Sequence, residues 1–299
     1  MLRIFFREIN NPEDLRFDCH NRMKQAKLKS ALLTLVIIFI PFLKGYSIGN
    51  ETQIGAREVS LGNASVALIS TFSVFHNQAA LARIKGVSAA TDFRQPFLIE
   101  GYSDKALAVV VPTSHSNFAF GIHQKGLSSY HETRLGVAMA RNFGEKFSAG
   151  IQFDYFMMNF PEQGRSRGTC FIEFGILYQM KRNVIIGLHI FNPSNAFIES
   201  LNFISRLPFI ATAGIVYKPA DNILITNAEE YSMNSRLNIS MGIEYLFSDR
   251  FSLRCGLSGE PVRHSAGIGY KWNIFTIDFA MVHHETLGYT PSFSLILNF

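Results

Sequence analysis

The chain is 299 residues long, with 47% hydrophobic side chains, 17% charged ones and a formal net charge of +5. Soluble domains usually carry about 25% charged residues, so this scarcity suits a surface that meets lipid. Residues 1–45 hold eight Lys/Arg against four Asp/Glu; the positive balance lies there, and no nucleic-acid partner is expected.

In chain order, residues 1–22 read as an unused or disordered extension ahead of a good start at Met23. From Met23 a basic stretch precedes the apolar run Ala31 to Leu43 and the small-residue site Gly45-Tyr46-Ser47. That is the layout of a signal peptide over residues 23–47. The run is short for an anchor helix, and Pro41 interrupts its end. Further on, no stretch approaches the ~20 apolar residues of a spanning helix. Cys170 and Cys255 have no C-x-x-C spacing and read as small apolar residues. Neither a metal nor a cofactor is expected.

From residue 87 onward a period of two takes over. Phe147, Ala149, Ile151, Phe153 and Tyr155 share one face, opposite Ser148, Gly150, Gln152 and Asp154. The pattern recurs from Cys170 to Tyr178, from Leu237 to Tyr245 and from Phe251 to Leu257. Each segment has ~10 residues, the length a tilted strand needs to cross a bilayer. Fourteen strands are predicted: 87–95, 103–112, 117–125, 131–142, 146–158, 169–180, 183–192, 208–218, 221–230, 235–246, 250–258, 262–272, 273–283 and 291–299. Short turns alternate with longer loops, notably 159–168, 193–207 and 284–290. The fold class is an all-β, antiparallel, up-and-down transmembrane barrel of a Gram-negative outer membrane.

Glycines at 121, 136, 150, 175, 187, 214, 242, 256 and 267 sit mid-strand on the less apolar face. Glycine there often marks close approach of other backbone, so the lumen is expected to hold an inserted segment or a narrow ligand path. The same face carries Asp154, Glu173, Arg254, Arg263, Lys271 and Asp278. Buried charges need partners; this mixed-sign set is expected to pair across strands or with Arg57 and Glu58, a polar permeation path being the other reading. Tyr155, Tyr178, Tyr217, Tyr245, Tyr270 and Trp272 fit an aromatic girdle. His131-Glu132 and His283-His284-Glu285 lie near a rim, where an outer-membrane hydrolase would need converging partners. They read as solvated histidines, and no enzyme is expected. Finally, Phe293, Leu295, Leu297 and Phe299 alternate with polar or smaller residues to the last position. This resembles the signal that barrel-assembly machinery recognises.

The segment ahead of the strands runs Ile54-Gly55-Ala56-Arg57-Glu58-Val59-Ser60-Leu61-Gly62-Asn63-Ala64, and then Phe75-His76-Asn77-Gln78-Ala79-Ala80-Leu81. It resembles the start of FadL-like barrels and of the related PorV/PorQ group. Gln78 stands where proline is usual in that motif, and Ala80 where glycine is usual. The resemblance implies that residues 48–86 fold inward as a hatch with short helices, inside a barrel of residues 87–299. Arg57, Gly62, Asn77, Gln78 and Ala79 carry the hatch motif. In one branch such barrels move hydrophobic solutes across the outer membrane; in the other they assist type IX protein export. Outer-membrane lipid, the assembly machinery and either secretion components or a hydrophobic ligand are the implied partners. A sealed scaffold barrel is the alternative, and an outer-membrane hydrolase a distant one.

Overall fold

The computed structural model describes residues 53–161, 164–200, 203–232, 235–259 and 261–299. The proposed signal peptide and the extension before it lie outside them. Among the described residues fourteen strands close into one antiparallel barrel. They are β1 (Ser88–Arg94), β2 (Ser103–Pro112), β3 (Asn117–Gly126), β4 (His131–Phe143), β5 (Phe147–Phe160), β6 (Arg165–Lys181) and β7 (Val184–Phe191), then β10 (Ile210–Ala220), β11 (Ile223–Ser232), β12 (Ser235–Leu246), β13 (Phe251–Ser258), β14 (Arg263–Trp272), β15 (Phe275–His284) and β16 (Gly288–Asn298). β8 (Phe197–Ser200) and β9 (Phe203–Arg206) pair only with each other. Chain neighbours are sheet neighbours throughout, apart from that hairpin, and β1 pairs β16 from Ser88–Asn298 to Arg94–Ser292. Closure leaves no open edge, so the ladder bonds backbone groups that hydrocarbon could not.

The alternation is inverted relative to a soluble sheet. On β13, Leu253 is 51% exposed and Leu257 47%, whereas Ser252, Arg254 and Ser258 are buried. Phe153 on β5 is 63% exposed while Gln152 and Asp154 are buried. An apolar outside around a polar inside is stable only against an apolar medium.

Every predicted strand has its counterpart, but two predicted loops do not. Where loops were expected at 159–168 and 284–290, β5 and β6 remain paired out to Phe160–Arg165, and β15 and β16 out to His284–Gly288. Polar and small residues there continue a ladder already in register. The stretch 193–207 is a true excursion, which buries Ala196, Ile198 and Leu207 with Phe156 and Phe171. It contains the β8–β9 hairpin, hidden from a reading that expected loop.

The connections 113–116, 144–146, 182–183, 221–222, 247–250 and 273–274 define one end of the barrel, the short-turn end. The β1–β2 connection (95–102) and the hairpin excursion belong to the opposite, long-loop end. Outward aromatics concentrate towards the short turns: Phe251 packs on Tyr270 in a tilted arrangement at 4.7 Å, and Phe143 likewise on Phe147 at 6.0 Å. Tyr178, Tyr217, Tyr245 and Trp272 share that end. Tyr155 does not; it lies opposite Leu135 and Cys170, in the long-loop half.

Candidate functional site

Strand register places four pairs of inward glycines directly opposite each other: Gly121–Gly136, Gly150–Gly175, Gly187–Gly214 and Gly242–Gly256. These strips of bare backbone receive the N-terminal segment. Ser60 meets Gly267, Leu61 meets Gly242 and Gly256, Val66 meets Gly187 and Gly214, and residues 77–79 meet Gly150 and Gly175. A Cβ at Gly150 would stand 2.6 Å from the Gln78 carbonyl carbon and 2.7 Å from the Ala79 nitrogen. Side chains are excluded there because backbone of another segment already occupies the space. Gly62 is required on its own account: its φ is +70°, and a Cβ would lie 2.5 Å from the Leu257 carbonyl oxygen.

The segment is built from α1 (Ala56–Ser60) and two 3-10 turns, Thr71–Phe75 and Gln78–Arg83. Ser70 and Ser73 form a reciprocal capping box on the first turn. Asn77 caps the second, accepting from the Ala79 N–H at 3.1 Å. Its amide also donates to the carbonyls of Val66 at 2.6 Å and Ile176 at 3.1 Å, joining two parts of the segment to β6. Asn117 donates to the carbonyls of Leu81 and Ile84, each at 2.7 Å, and Asn142 to that of Ala82 at 2.7 Å. Ala79 and Ala80 are fully buried, small enough to sit against the glycine strip.

Three charge clusters line the inner wall. In the first, Arg57 forks onto Glu244 at 2.8 and 2.9 Å; Arg254 bonds the same carboxylate at 2.6 Å and Asp278 at 2.6 Å. In the second, Arg134 bridges Asp154 at 2.8 Å and Glu173. Glu173 also accepts from Gln78 at 2.7 Å and lies 3.0 Å from His189 Nε2. In the third, Asp104 bonds both Arg94 and His123, and Arg94 reaches Gln53. Pairing of this density is what makes buried charge tolerable.

Asp154, Glu173, Arg254 and Asp278 thus fall inside clusters, and Arg57 joins them. The other two expected lumen charges do not: Arg263 is half-buried at the long-loop end and Lys271 exposed at the short-turn end. Glu58 departs from expectation more sharply. It is buried, yet neither carboxyl oxygen has a hydrogen-bond partner among the described residues. Burial raises its carboxyl above the usual range, against the lowering influence of the neighbouring Arg57 charge. His76 donates to the Ile54 carbonyl at 2.8 Å, and burial pushes its imidazole down to about 4. Sequence reasoning missed Arg134, His189, Glu244 and the Arg94–Asp104–His123 trio; inward parity on their strands was the signal that marked them.

The histidines of the hydrolase reading stay apart. His131 belongs to β4 and His283 to β15, and the His283 ring packs on Tyr289 at 4.7 Å. Phe293, Leu295, Leu297 and Phe299 lie on the outward side of β16 and its end, and the Phe299 N–H donates to the Val87 carbonyl.

Two cavities flank the N-terminal segment. One, of ≈ 540 Å³, opens on the short-turn side among Ile69, Ile84, Leu246 and Ile296 and beside the charge cluster of Arg57, Glu244, Arg254 and Asp278, with Arg250 and Lys271 also lining it. The other, of ≈ 70 Å³, lies among His76, His189, Thr212 and Asn238. The larger falls within the size range of small-molecule pockets.

No family model and no curated protein matches the chain. Solved structures do. The toluene transporter TbuX of Ralstonia pickettii aligns with a TM-score of 0.63 at 14% identity, over 84% of this chain and 99% of that one. The toluene transporter TodX of Pseudomonas putida gives 0.60 at 11% identity, over 85% and 96%. A FadL homologue of Pseudomonas aeruginosa gives 0.58 at 12% identity, over 86% and 100%. The chain shares their fold over nearly their whole length.

Proposed function

We propose that this chain is an outer-membrane barrel that admits hydrophobic solutes, with residues 54–83 acting as a hatch. The observation that carries the reading is the fit of that segment into the opposed glycine pairs of a closed fourteen-strand barrel. The three similar structures, two of them toluene transporters, supply the solute class. Their agreement with the FadL side of the resemblance supports this reading; the export branch draws no support from them. Asn77, Gln78 and Arg57 would hold the hatch shut, and the larger cavity, lined partly by apolar and partly by charged side chains, would receive solute leaving past it. The outward alternation ending at Phe299 supports a role for the last strand in recognition by the assembly machinery.

The test is uptake of labelled toluene by cells whose outer membrane carries the chain, compared with cells lacking it, because a plain phospholipid bilayer passes toluene unaided. A Thr71→Cys/Ser88→Cys pair would lock the hatch to β1, because the two native hydroxyls already stand 2.8 Å apart. Uptake should fall on oxidation and return on reduction. If oxidation changes nothing while uptake persists, residues 54–83 are no gate. A sealed scaffold barrel is the second reading, favoured by the small cavity of ≈ 70 Å³ on one side of the segment. Uptake no greater than in cells lacking the chain would select it.

A further inference from the structure

The two ends of the barrel differ in charge although the strands share one composition. The difference lies in the connections, taken with three strand residues on either side and with the approach to β1. At the short-turn end eight Lys/Arg then stand against four Asp/Glu, one of which is the inward Glu244. At the long-loop end, among the described residues, eight stand against seven. All eight short-turn cations are exposed. They recur around the circumference: Lys146 follows β4, Arg182 follows β6 and Lys218 lies near the end of β10, while Lys85, Arg250 and Lys271 stand at the mouth of the larger cavity. The β2–β3 turn alone carries none.

Just inside this ring lies the outward aromatic belt, and the two are in contact: the Arg141 guanidinium sits 5.8 Å from the centroid of the Phe143 ring. Aromatics mark the depth at which hydrocarbon gives way to headgroups. Long basic side chains just beyond that depth lay their stems along the apolar surface and carry their charge to the headgroup plane.

We propose that the short-turn rim is a binding surface for anionic phospholipid headgroups, seating the barrel on the phospholipid leaflet. The ring form favours a lipid plane over a protein partner, which would need its charges gathered on one side. Attraction of basic residues to an anionic leaflet acts within a Debye length, about 8 Å at physiological salt, and these side chains extend from turns at the belt itself. Nothing in the solute-uptake reading is needed for this inference.

The experiment uses the full chain purified in detergent and titrated with phosphatidylglycerol or phosphatidylethanolamine, bound lipid being read by native mass spectrometry. The wild type should retain several-fold more of the anionic lipid. The variant Lys146→Gln/Lys181→Gln/Arg182→Gln/Lys218→Gln should hold the two lipids within about twofold, while keeping the heat-modifiable mobility of a folded barrel. Equal retention by the wild type, or an undiminished preference in the folded variant, overturns the proposal. A second arm settles which leaflet is met. An Arg182→Cys variant with Cys170→Ala and Cys255→Ala should react with a membrane-impermeant maleimide only after the outer membrane is permeabilised. Labelling on intact cells would turn the rim towards lipopolysaccharide phosphates and overturn the assignment.

Discussion

The side-chain amide of Gln78 donates to Glu173 Oε2 at 2.7 Å, joining the N-terminal segment to a carboxylate on β6. Both side chains are fully buried. Glu173 is itself held by Arg134, so the segment is tied to a charge cluster spanning β4, β5 and β6. The position that departs from the resembling motif by lacking proline therefore supplies a contact that proline could not.

Gln78→Ala should loosen the segment by about 1–3 kcal/mol, the usual cost of leaving a buried polar group without its partner. Hydrogen exchange of amides 74–82 should accelerate accordingly. Gln78→Pro makes the sharper comparison, since the first position of a helical turn accepts proline. It should lose the Glu173 link with the turn intact; if exchange in either variant matches the wild type, the link does not hold the segment.

Gly175→Val would drive methyl groups into Asn77 and Ala79, which the wild-type backbone touches closely. Overpacking of this kind costs about 1–3 kcal/mol. The segment should give way before the barrel does, because fourteen strands share the ladder. Proteolysis within 54–83 should increase while heat-modifiable mobility is kept. A variant as protease-resistant as the wild type would argue against the close packing described.

Arg254→Met leaves Glu244 with Arg57 alone and Asp278 with no cation among those named. Removing one member of a buried ionic set costs about 3–5 kcal/mol. The denaturation midpoint in detergent should fall markedly, and Arg254→Met/Asp278→Asn should recover part of the loss. No recovery in the double variant would mean that the pair is not coupled.

Glu58 gives the segment a pH dependence of known sign. Its carboxyl is raised in the folded state by burial, so the folded form binds the proton more tightly than the unfolded one. Stability is then fully present below the ordinary carboxylate range and declines as pH rises through the raised value. Exchange of amides 56–62 should quicken as pH rises above the ordinary carboxylate range, beyond its intrinsic rise. Glu58→Gln should abolish that excess, and an excess that survives in the variant refutes the assignment to Glu58.

The alternation of side chains determined the strands, because on a pleated ribbon parity alone decides which face a residue takes. In a barrel that decision separates lipid from lumen, so Phe153 and Asp154 could be assigned to opposite sides before any contact was known. Parity also marked the mid-strand glycines and six inward charges, of which four entered clusters. It could not determine partners. Arg134 and Glu173 stand on strands separated by β5 and meet through the lumen, and Gly150 opposes Gly175 only through the register of β5 with β6. Those relationships depend on strand stagger and closure, which set the level each inward residue reaches. The tertiary structure alone decided that the glycines form opposed pairs, that Arg57 finds Glu244 while Glu58 finds no hydrogen bond, and that the exposed cations gather on one rim.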